Sequence, residues 1–168
     1  MNIQGMDPST RSKGFHKLFH IKEEIKKLEN KGFNVPFVAI TESWLKGHIN
    51  DAQVTLNNFN IFRSDRKISK NGGVILYLHK NIIVSEVEMF DDNICSAIIC
   101  LCPNINCIIS CVYRPPSSEQ KSFLNLLTFL SNFITLYNPL DKLDTVIFGD
   151  FNFPQKLQFP AYLKDYTV

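Results

Sequence analysis

The chain of 168 residues lacks long apolar runs, a strong net charge and internal repeats, and each absence excludes a class of protein. No apolar run reaches the roughly 20 residues that a membrane-spanning helix needs, and the first residues lack the basic and apolar regions of a signal peptide. The formal net charge of +2 is too small to indicate nucleic-acid binding by itself. We therefore expect a single domain over residues 1–168, in the nucleus or the cytoplasm.

A Cys-x-x-Cys pair is also absent, although all five cysteines lie between Cys95 and Cys111. No histidine lies near them in the sequence, so zinc binding has little support. The cysteines are interleaved with isoleucine, leucine, alanine and valine in two predicted strands on either side of residues 103–106. We expect free thiols that pack as small apolar side chains.

The apolar residues that are present follow helical and extended patterns in turn. Hydrophobic residues make up 45% of the chain, which is enough for a core. An apolar stripe over residues 15–28, which includes Phe19 and Leu28, predicts a first helix. A wider stripe predicts a second helix that begins at Ser117, with Ser117 and Gln120 as a capping box.

Several of the predicted strands are joined as hairpins. Residues 60–62 and 73–78 are predicted to pair across a basic loop with an Asn-Gly turn signal, and a second hairpin turns at residues 103–106. Single strands are predicted at residues 34–40 and 145–148. Because hairpins interrupt a plain parallel arrangement, this order predicts an α/β fold, a layered sandwich of two packed, mainly antiparallel or mixed sheets flanked by helices.

The most informative stretch is Gly-Asp-Phe-Asn at residues 149–152, directly after a predicted strand. It places the carboxylate of Asp150 and the amide of Asn152 at the lip of a sheet, on the same face if the extended geometry continues. Such a pair suits phosphodiester hydrolysis, because the carboxylate can orient or deprotonate a water and the amide can donate to a phosphate oxygen. The alternative is an Asp-x-Asn turn, which is common after strands.

Other polar residues stand at predicted strand ends. Glu42 follows the apolar run 35–40, and Tyr113 with Arg114 ends another apolar run. Glu42 is the candidate ligand for Mg²⁺, since hard cations prefer oxygen donors. The alternatives are an exposed strand-end acid for Glu42 and a cross-strand core aromatic for Tyr113.

The loop of the first hairpin is basic. Its cations are Arg63, Arg66, Lys67 and Lys70. They could contact the phosphates of DNA. The alternative is a charged hairpin tip that is only solvated, which is the more common case.

Four motifs in this order resemble the endonuclease/exonuclease/phosphatase superfamily, which has the fold of pancreatic deoxyribonuclease. They are similar above all to the apurinic-endonuclease-like domain of non-LTR (LINE-type) retrotransposons. The motifs are Thr-Glu-Ser-Trp-Leu at 41–45, Gly-Gly-Val-Ile-Leu-Tyr at 72–77, Val-Tyr-Arg-Pro-Pro at 112–116 and Gly-Asp-Phe-Asn at 149–152. The resemblance covers essentially the whole chain. It implies a monomeric endonuclease, dependent on Mg²⁺ or Mn²⁺, that nicks target DNA to give a 3′-hydroxyl primer for a downstream reverse transcriptase domain.

The resemblance also implies roles for individual residues. Glu42 would hold the metal, and Asn2 would support the metal or the phosphate. Asp150 would position the attacking water, Asn152 would polarise the phosphate, and Tyr113 would contact the phosphate or assist the leaving group. The DNA contacts would come from the basic residues, which are Arg63, Arg66, Lys67, Lys70 and Arg114.

One part of the family pattern has no counterpart in this sequence. The family's domain continues to a further Asp and a Ser-Asp-His, whereas no histidine follows Asn152 here. We therefore expect a domain truncated at its C-terminal side. The alternative function is a catalytically inactive remnant that at most binds DNA or metal weakly. Phosphatase or deadenylase chemistry on the same fold is disfavoured, because the motifs resemble those of retroelements.

Overall fold

The computed structural model describes residues 1–6, 14–68 and 71–152. In these ranges the helices and strands follow one another in the order α1 Gly14–Asn30, β1 Phe37–Thr41, β2 Phe59–Ser64, β3 Val74–His79, β4 Glu86–Asp91, β5 Ser96–Cys102, β6 Cys107–Tyr113, α2 Gln120–Tyr137 and β7 Asp144–Asp150. Two short 3-10 turns lie at Asp51–Gln53 and Pro103–Ile105. No helix among the described residues is long and apolar enough to cross a bilayer.

The strands form two sheets. The order in the first is β1-β3-β2, with antiparallel pairs throughout, and the order in the second is β4-β5-β6-β7, in which only β6 and β7 run parallel. Both predicted hairpins are confirmed, since β2 pairs with β3 and β5 with β6. The predicted layered α/β sandwich of two mainly antiparallel or mixed sheets is confirmed as well.

The central strands are apolar on both faces because each face meets a different layer. On β3, Val74, Leu76 and Leu78 face the other sheet, whereas Ile75 and Tyr77 pack in the same cluster as Leu18 and Ile21 of α1. The strands β5 and β6 are likewise buried on both faces, against the first sheet on one side and α2 on the other. The layers are therefore helix, sheet, sheet and helix.

The cysteines are buried free thiols, as predicted. Four of them, Cys100, Cys102, Cys107 and Cys111, pack between the sheets. Burial raises the pKa of Cys102 to about 11 and that of Cys111 to about 12, so these thiols stay protonated at neutral pH.

Three local predictions were wrong or incomplete. In α1, Leu18 and Ile21 are buried, whereas Phe19 is 53% and Leu28 41% exposed, so the apolar face is narrower than the stripe indicated. The capping box at Ser117 does not form: α2 begins at Gln120, Glu119 is its N-cap, and no side chain caps it. The sequence analysis also missed β4, an edge strand in which Val87 and Met89 alternate with acids but are exposed.

Candidate active site

The ends of three strands and the N-terminal segment meet at one rim of the sandwich. Tyr113 and Asp150 are the last residues of the parallel strands β6 and β7, and they pair directly with each other. Glu42 follows β1, and Asn2 forms a parallel bridge with Thr41 at the end of the same strand. Residues that lie far apart in the sequence therefore become neighbours.

The four side chains form one connected cluster. Asn2 Nδ2 donates to Glu42 Oε1 at 3.0 Å and to Asp150 Oδ2 at 2.8 Å. The Tyr113 hydroxyl donates to the same Glu42 Oε1 at 3.0 Å. Among the described residues, nothing donates to Glu42 Oε2 or Asp150 Oδ1, so each carboxylate keeps one oxygen for a cation or a water.

The phenol of Tyr113 is held in its protonated form. Burial and the hydrogen bond to Glu42 raise its pKa to about 12, against a smaller opposing influence from Arg66. A neutral phenol is a hydrogen-bond donor, so at neutral pH Tyr113 can donate to an anionic oxygen.

A left-handed turn directs Glu42 into the cluster. Glu42 has φ +55° and Trp44 has φ +54°, conformations that few side chains adopt without support. The support comes from backbone bonds on both sides, because Ser43 N donates to Gly73 O at 3.2 Å and Gly5 N donates to Glu42 O at 2.8 Å. A Cβ on Gly5 would lie 2.6 Å from the Trp44 ring, so the tryptophan of the Thr-Glu-Ser-Trp-Leu motif packs on a glycine backbone.

Close backbone approach fixes Asp150. A Cβ on Gly149 would lie 2.0 Å from the carbonyl oxygen of Val112, a distance that no side chain tolerates. Glycine at this position lets the end of β7 lie against β6. The glycine of Gly-Asp-Phe-Asn therefore brings Asp150 into register with Tyr113.

Asn152 lies in a left-handed conformation beyond the end of β7. The strand ends at Asp150, Asn152 has φ +44°, and its Nδ2 donates to the carbonyl of Arg114 at 3.0 Å. The extended geometry on which the same-face expectation depended is therefore lost after Asp150. Arg114 in turn donates from Nη1 to the carbonyls of Phe151 at 3.1 Å and Asn152 at 2.8 Å.

Of the residues predicted to bind DNA, the described arginines Arg63, Arg66 and Arg114 do not form an exposed basic surface. Arg114 is 4% exposed and holds the turn after β7. The Arg63 side chain is 9% exposed and forms ion pairs with Asp51 and Asp65. Its Nη1 and Nη2 also donate to the carbonyls of Ile49 and Lys46, so the geometry gives it a structural role.

The other loop cations differ among themselves. Lys67 is exposed, and Lys70 lies outside the described residues. Arg66 is buried against the cluster: its guanidinium lies 5.3 Å from the centroid of the Tyr113 ring. The sequence analysis placed Arg66 on a surface loop and missed this position. The signal was Gly72 in the Gly-Gly motif, because a Cβ there would lie 2.3 Å from Arg66 Nε.

The cluster fits a magnesium ion that keeps most of its water shell. Mg²⁺ is commonly bound through one or two carboxylates with several waters. Glu42 and Asp150 supply two carboxylates bridged by one amide. The described residues contain no group of three or more His, Cys, Asp or Glu side chains that could hold a metal by themselves, so a cation here would be bound weakly.

Comparisons with known proteins connect this geometry to a fold. No protein-family model matches the chain, and a search of curated proteins gave no match. Solved structures do match: the human Nocturnin catalytic domain with bound sulfate has a TM-score of 0.62 at 14% identity, over 93% of this chain and 63% of that one. An endonuclease/exonuclease/phosphatase from Bacteroides vulgatus has a TM-score of 0.60 at 14% identity, over 92% and 65%.

A third match is a structure of D. rerio TDP2 complexed with a single-strand DNA product. Its TM-score is 0.53 at 12% identity, over 89% of this chain and 59% of that one. At such identities the likeness shows the fold, which is that of the DNase I-like sandwich. The chain spans less than two-thirds of the length of each of these structures.

Proposed function

We propose that this chain belongs to the endonuclease domain of a non-LTR retrotransposon, a phosphodiesterase that uses Mg²⁺ or Mn²⁺ to nick target DNA and leave a 3′-hydroxyl primer. The observation that carries the proposal is the cluster of Asn2, Glu42, Tyr113 and Asp150 at one rim. In the full element a reverse transcriptase domain would follow and use the primer. The likeness to a TDP2 structure that contains single-strand DNA supports DNA as the substrate class.

Phosphodiester hydrolysis needs help at two points, because a water must attack an anionic phosphorus and an alkoxide must leave. A bound Mg²⁺ would supply positive charge for both. Glu42 would hold the ion through Oε2, since Oε1 already accepts from Asn2 and Tyr113. Those two donors fix the plane of the Glu42 carboxylate.

Asp150 is the residue that would orient or deprotonate the attacking water. Its Oδ2 accepts from Asn2 Nδ2, which leaves Oδ1 for the water. Tyr113 is protonated, and its single hydroxyl proton would turn from Glu42 Oε1 to donate to the phosphate or to the leaving oxygen. Asn152 Nδ2 donates one of its two hydrogens to the carbonyl of Arg114, and a phosphate contact by Asn152 would use the other.

A second candidate function is a non-catalytic remnant that binds DNA or metal weakly. The observation that favours it is that no imidazole contacts the cluster among the described residues, although the chain has four histidines. In the family the histidine interacts with the scissile phosphate. A chain extended through the family's Asp and Ser-Asp-His motifs would supply it.

The test is the conversion of supercoiled plasmid to open circle in Mg²⁺, run on this chain and on the extended chain. Losing one preorganised electrostatic contact costs on the order of a hundredfold in rate, so we expect robust nicking only from the extended chain. Asp150→Asn should abolish that nicking, whereas Glu88→Gln, an exposed acid on the edge strand β4, should leave it unchanged. Nicking by the extended chain that survives Asp150→Asn would refute the proposal.

A further inference from the structure

Arg66 brings to the rim a positive charge that no carboxylate of the described residues neutralises. Its residue surface is 6% exposed, Nε donates to Ser96 Oγ at 3.3 Å, and Nη2 is buried without a hydrogen-bond partner. Arg63, three residues earlier, has two carboxylate partners. Among the described residues Arg66 has none. A buried guanidinium without an anion carries a desolvation penalty that an acceptor would relieve.

Strand register places this charge relative to the carboxylates. Ser96, Tyr113 and Asp150 pair directly with one another across β5, β6 and β7. Directly paired residues share one face of a sheet, and adjacent strands lie about 4.8 Å apart, so Ser96 and Asp150 stand about 10 Å apart with Tyr113 between them. In this row of Ser96, Tyr113 and Asp150, Arg66 contacts Ser96 at one end. At the other end, Asn2 connects Asp150 to Glu42.

The surrounding chain leaves room for the guanidinium. Gly72 has φ +101°, and a Cβ there would lie 2.3 Å from Arg66 Nε and 2.4 Å from Cζ. Any other residue at position 72 would therefore displace the side chain. Lys46 Nζ donates to the carbonyl of Arg66 at 3.2 Å and anchors its backbone. Two separate segments, at Lys46 and at Gly72, therefore determine the position of Arg66.

We propose that Arg66 binds a phosphate group at the Ser96 side of Tyr113, and that this guanidinium is the anion-binding element of the site. A phosphate there meets the N–H groups of Arg66 and the hydroxyl of Tyr113, while the carboxylate end of the row is left for water and metal. The identification of the phosphate as part of a DNA strand rests on the proposed function. The binding of a phosphate anion does not.

The test is a titration of the protein with inorganic phosphate, followed through the side-chain Nε–H signals of arginine by NMR. The Arg66 signal is assigned from its loss in Arg66→Lys. A second arm uses a single-strand oligodeoxynucleotide without terminal phosphates, in the absence of divalent metal, so that backbone phosphates are distinguished from the free anion. We expect saturable shifts of the Arg66 signal in both arms.

Variants measure the size of the effect. Arg66→Gln should weaken binding of phosphate and of the oligonucleotide at least tenfold, and should reduce the slope of log K against log salt by about 0.7 for the single strand. Arg66→Lys should restore part of the affinity. Lys67→Gln removes a neighbouring exposed charge and should change phosphate affinity less than twofold.

An unmoved Arg66 signal, or equal phosphate affinity in the native chain and Arg66→Gln, would overturn the proposal. If Arg66→Gln does not fold, the NMR arm on the native chain and the affinity of Arg66→Lys decide the question. Neither arm requires hydrolysis. Phosphate binding with nicking that survives Asp150→Asn would therefore refute the proposed function and leave this inference standing.

Discussion

The sequence predicted two functional groups of polar residues, the rim cluster and the basic hairpin loop. The rim residues meet in one cluster, whereas the described arginines of the loop are turned to separate partners. Tyr113 and Asp150 end the paired strands β6 and β7, and the packing of the first sheet on the second brings Glu42 to them. The loop cations are governed by local partners instead, and Arg63 turns inward to Asp51 and Asp65. In this chain strand ends predict a site better than a run of cations does, because strand pairing and sheet packing fix the strand ends, whereas Arg63 follows its own local partners.

The rim depends on backbone approach more than on any other feature, so the largest effect is expected at Gly149. Gly149→Ala would place a Cβ 2.0 Å from the Val112 carbonyl oxygen and force β7 away from β6. We expect a loss of about 3 kcal/mol in the free energy of unfolding, measured with urea. Gly47→Ala is the matched control, because a Cβ there meets nothing within 4 Å. Equal stability of the two variants would contradict the account.

The loop, by contrast, depends on the ion pairs of Arg63. Arg63→Met would leave Asp65 without its ion-pair partner. The Asp65 side chain is only 15% exposed, so its unpaired charge would be poorly solvated. We expect a loss of about 2 kcal/mol in unfolding free energy, less than for a fully buried pair because Asp51 is 60% exposed. DNA affinity per folded molecule should not change. A fall in the DNA affinity of Arg63→Met without a change in its unfolding free energy would instead indicate that Arg63 binds DNA.

Metal binding tests whether the rim cluster, rather than another group of acids, holds a cation. Titration with Mn²⁺, followed by water-proton relaxation, should show a weak site with a dissociation constant on the order of a millimolar, because the single carboxylate of Glu42 leaves most coordination positions to water. Glu42→Gln should weaken it at least tenfold, whereas Glu88→Gln should have no effect. A tight site that survives Glu42→Gln would place the metal elsewhere.

The smallest effect is expected in the core between the two sheets, where Cys111 lies. There the free energy of unfolding should fall as the pH becomes alkaline. Burial raises the pKa of Cys111 to about 12, so the unfolded chain loses this thiol proton first as the pH rises. The stabilisation is complete below the unfolded pKa of about 8.5 and declines above it. Cys111→Ala should make the decline in unfolding free energy between pH 9 and 10.5 shallower by about 1 kcal/mol per pH unit. An unchanged pH dependence of the unfolding free energy in Cys111→Ala would contradict the assignment of this decline to the Cys111 thiol.

Apolar periodicity predicted the layers and both hairpins because burial on defined faces is a property of the pattern itself. It did not predict β4, a short edge strand whose alternating Val87 and Met89 stay exposed and contribute little to the core. The strand ends also predicted which acids and which phenol meet. The orientation of Asn152 was not predictable, because it depends on a left-handed turn and on the Arg114 carbonyl after the strand has ended. The burial of Arg66 depends on the space above Gly72, which only the folded chain shows.

The central claim is that Asn2, Glu42, Tyr113 and Asp150 act as one hydrolytic centre. The most direct test is a double-mutant cycle on nicking by the extended chain, with Glu42→Gln, Asp150→Asn and the pair combined. Groups that act as a unit are strongly non-additive, so each single variant should lose about a hundredfold or more and the double variant should lose little further. Losses that multiply in the double variant, or a nicking rate in either single variant equal to that of the unsubstituted extended chain, would contradict the claim.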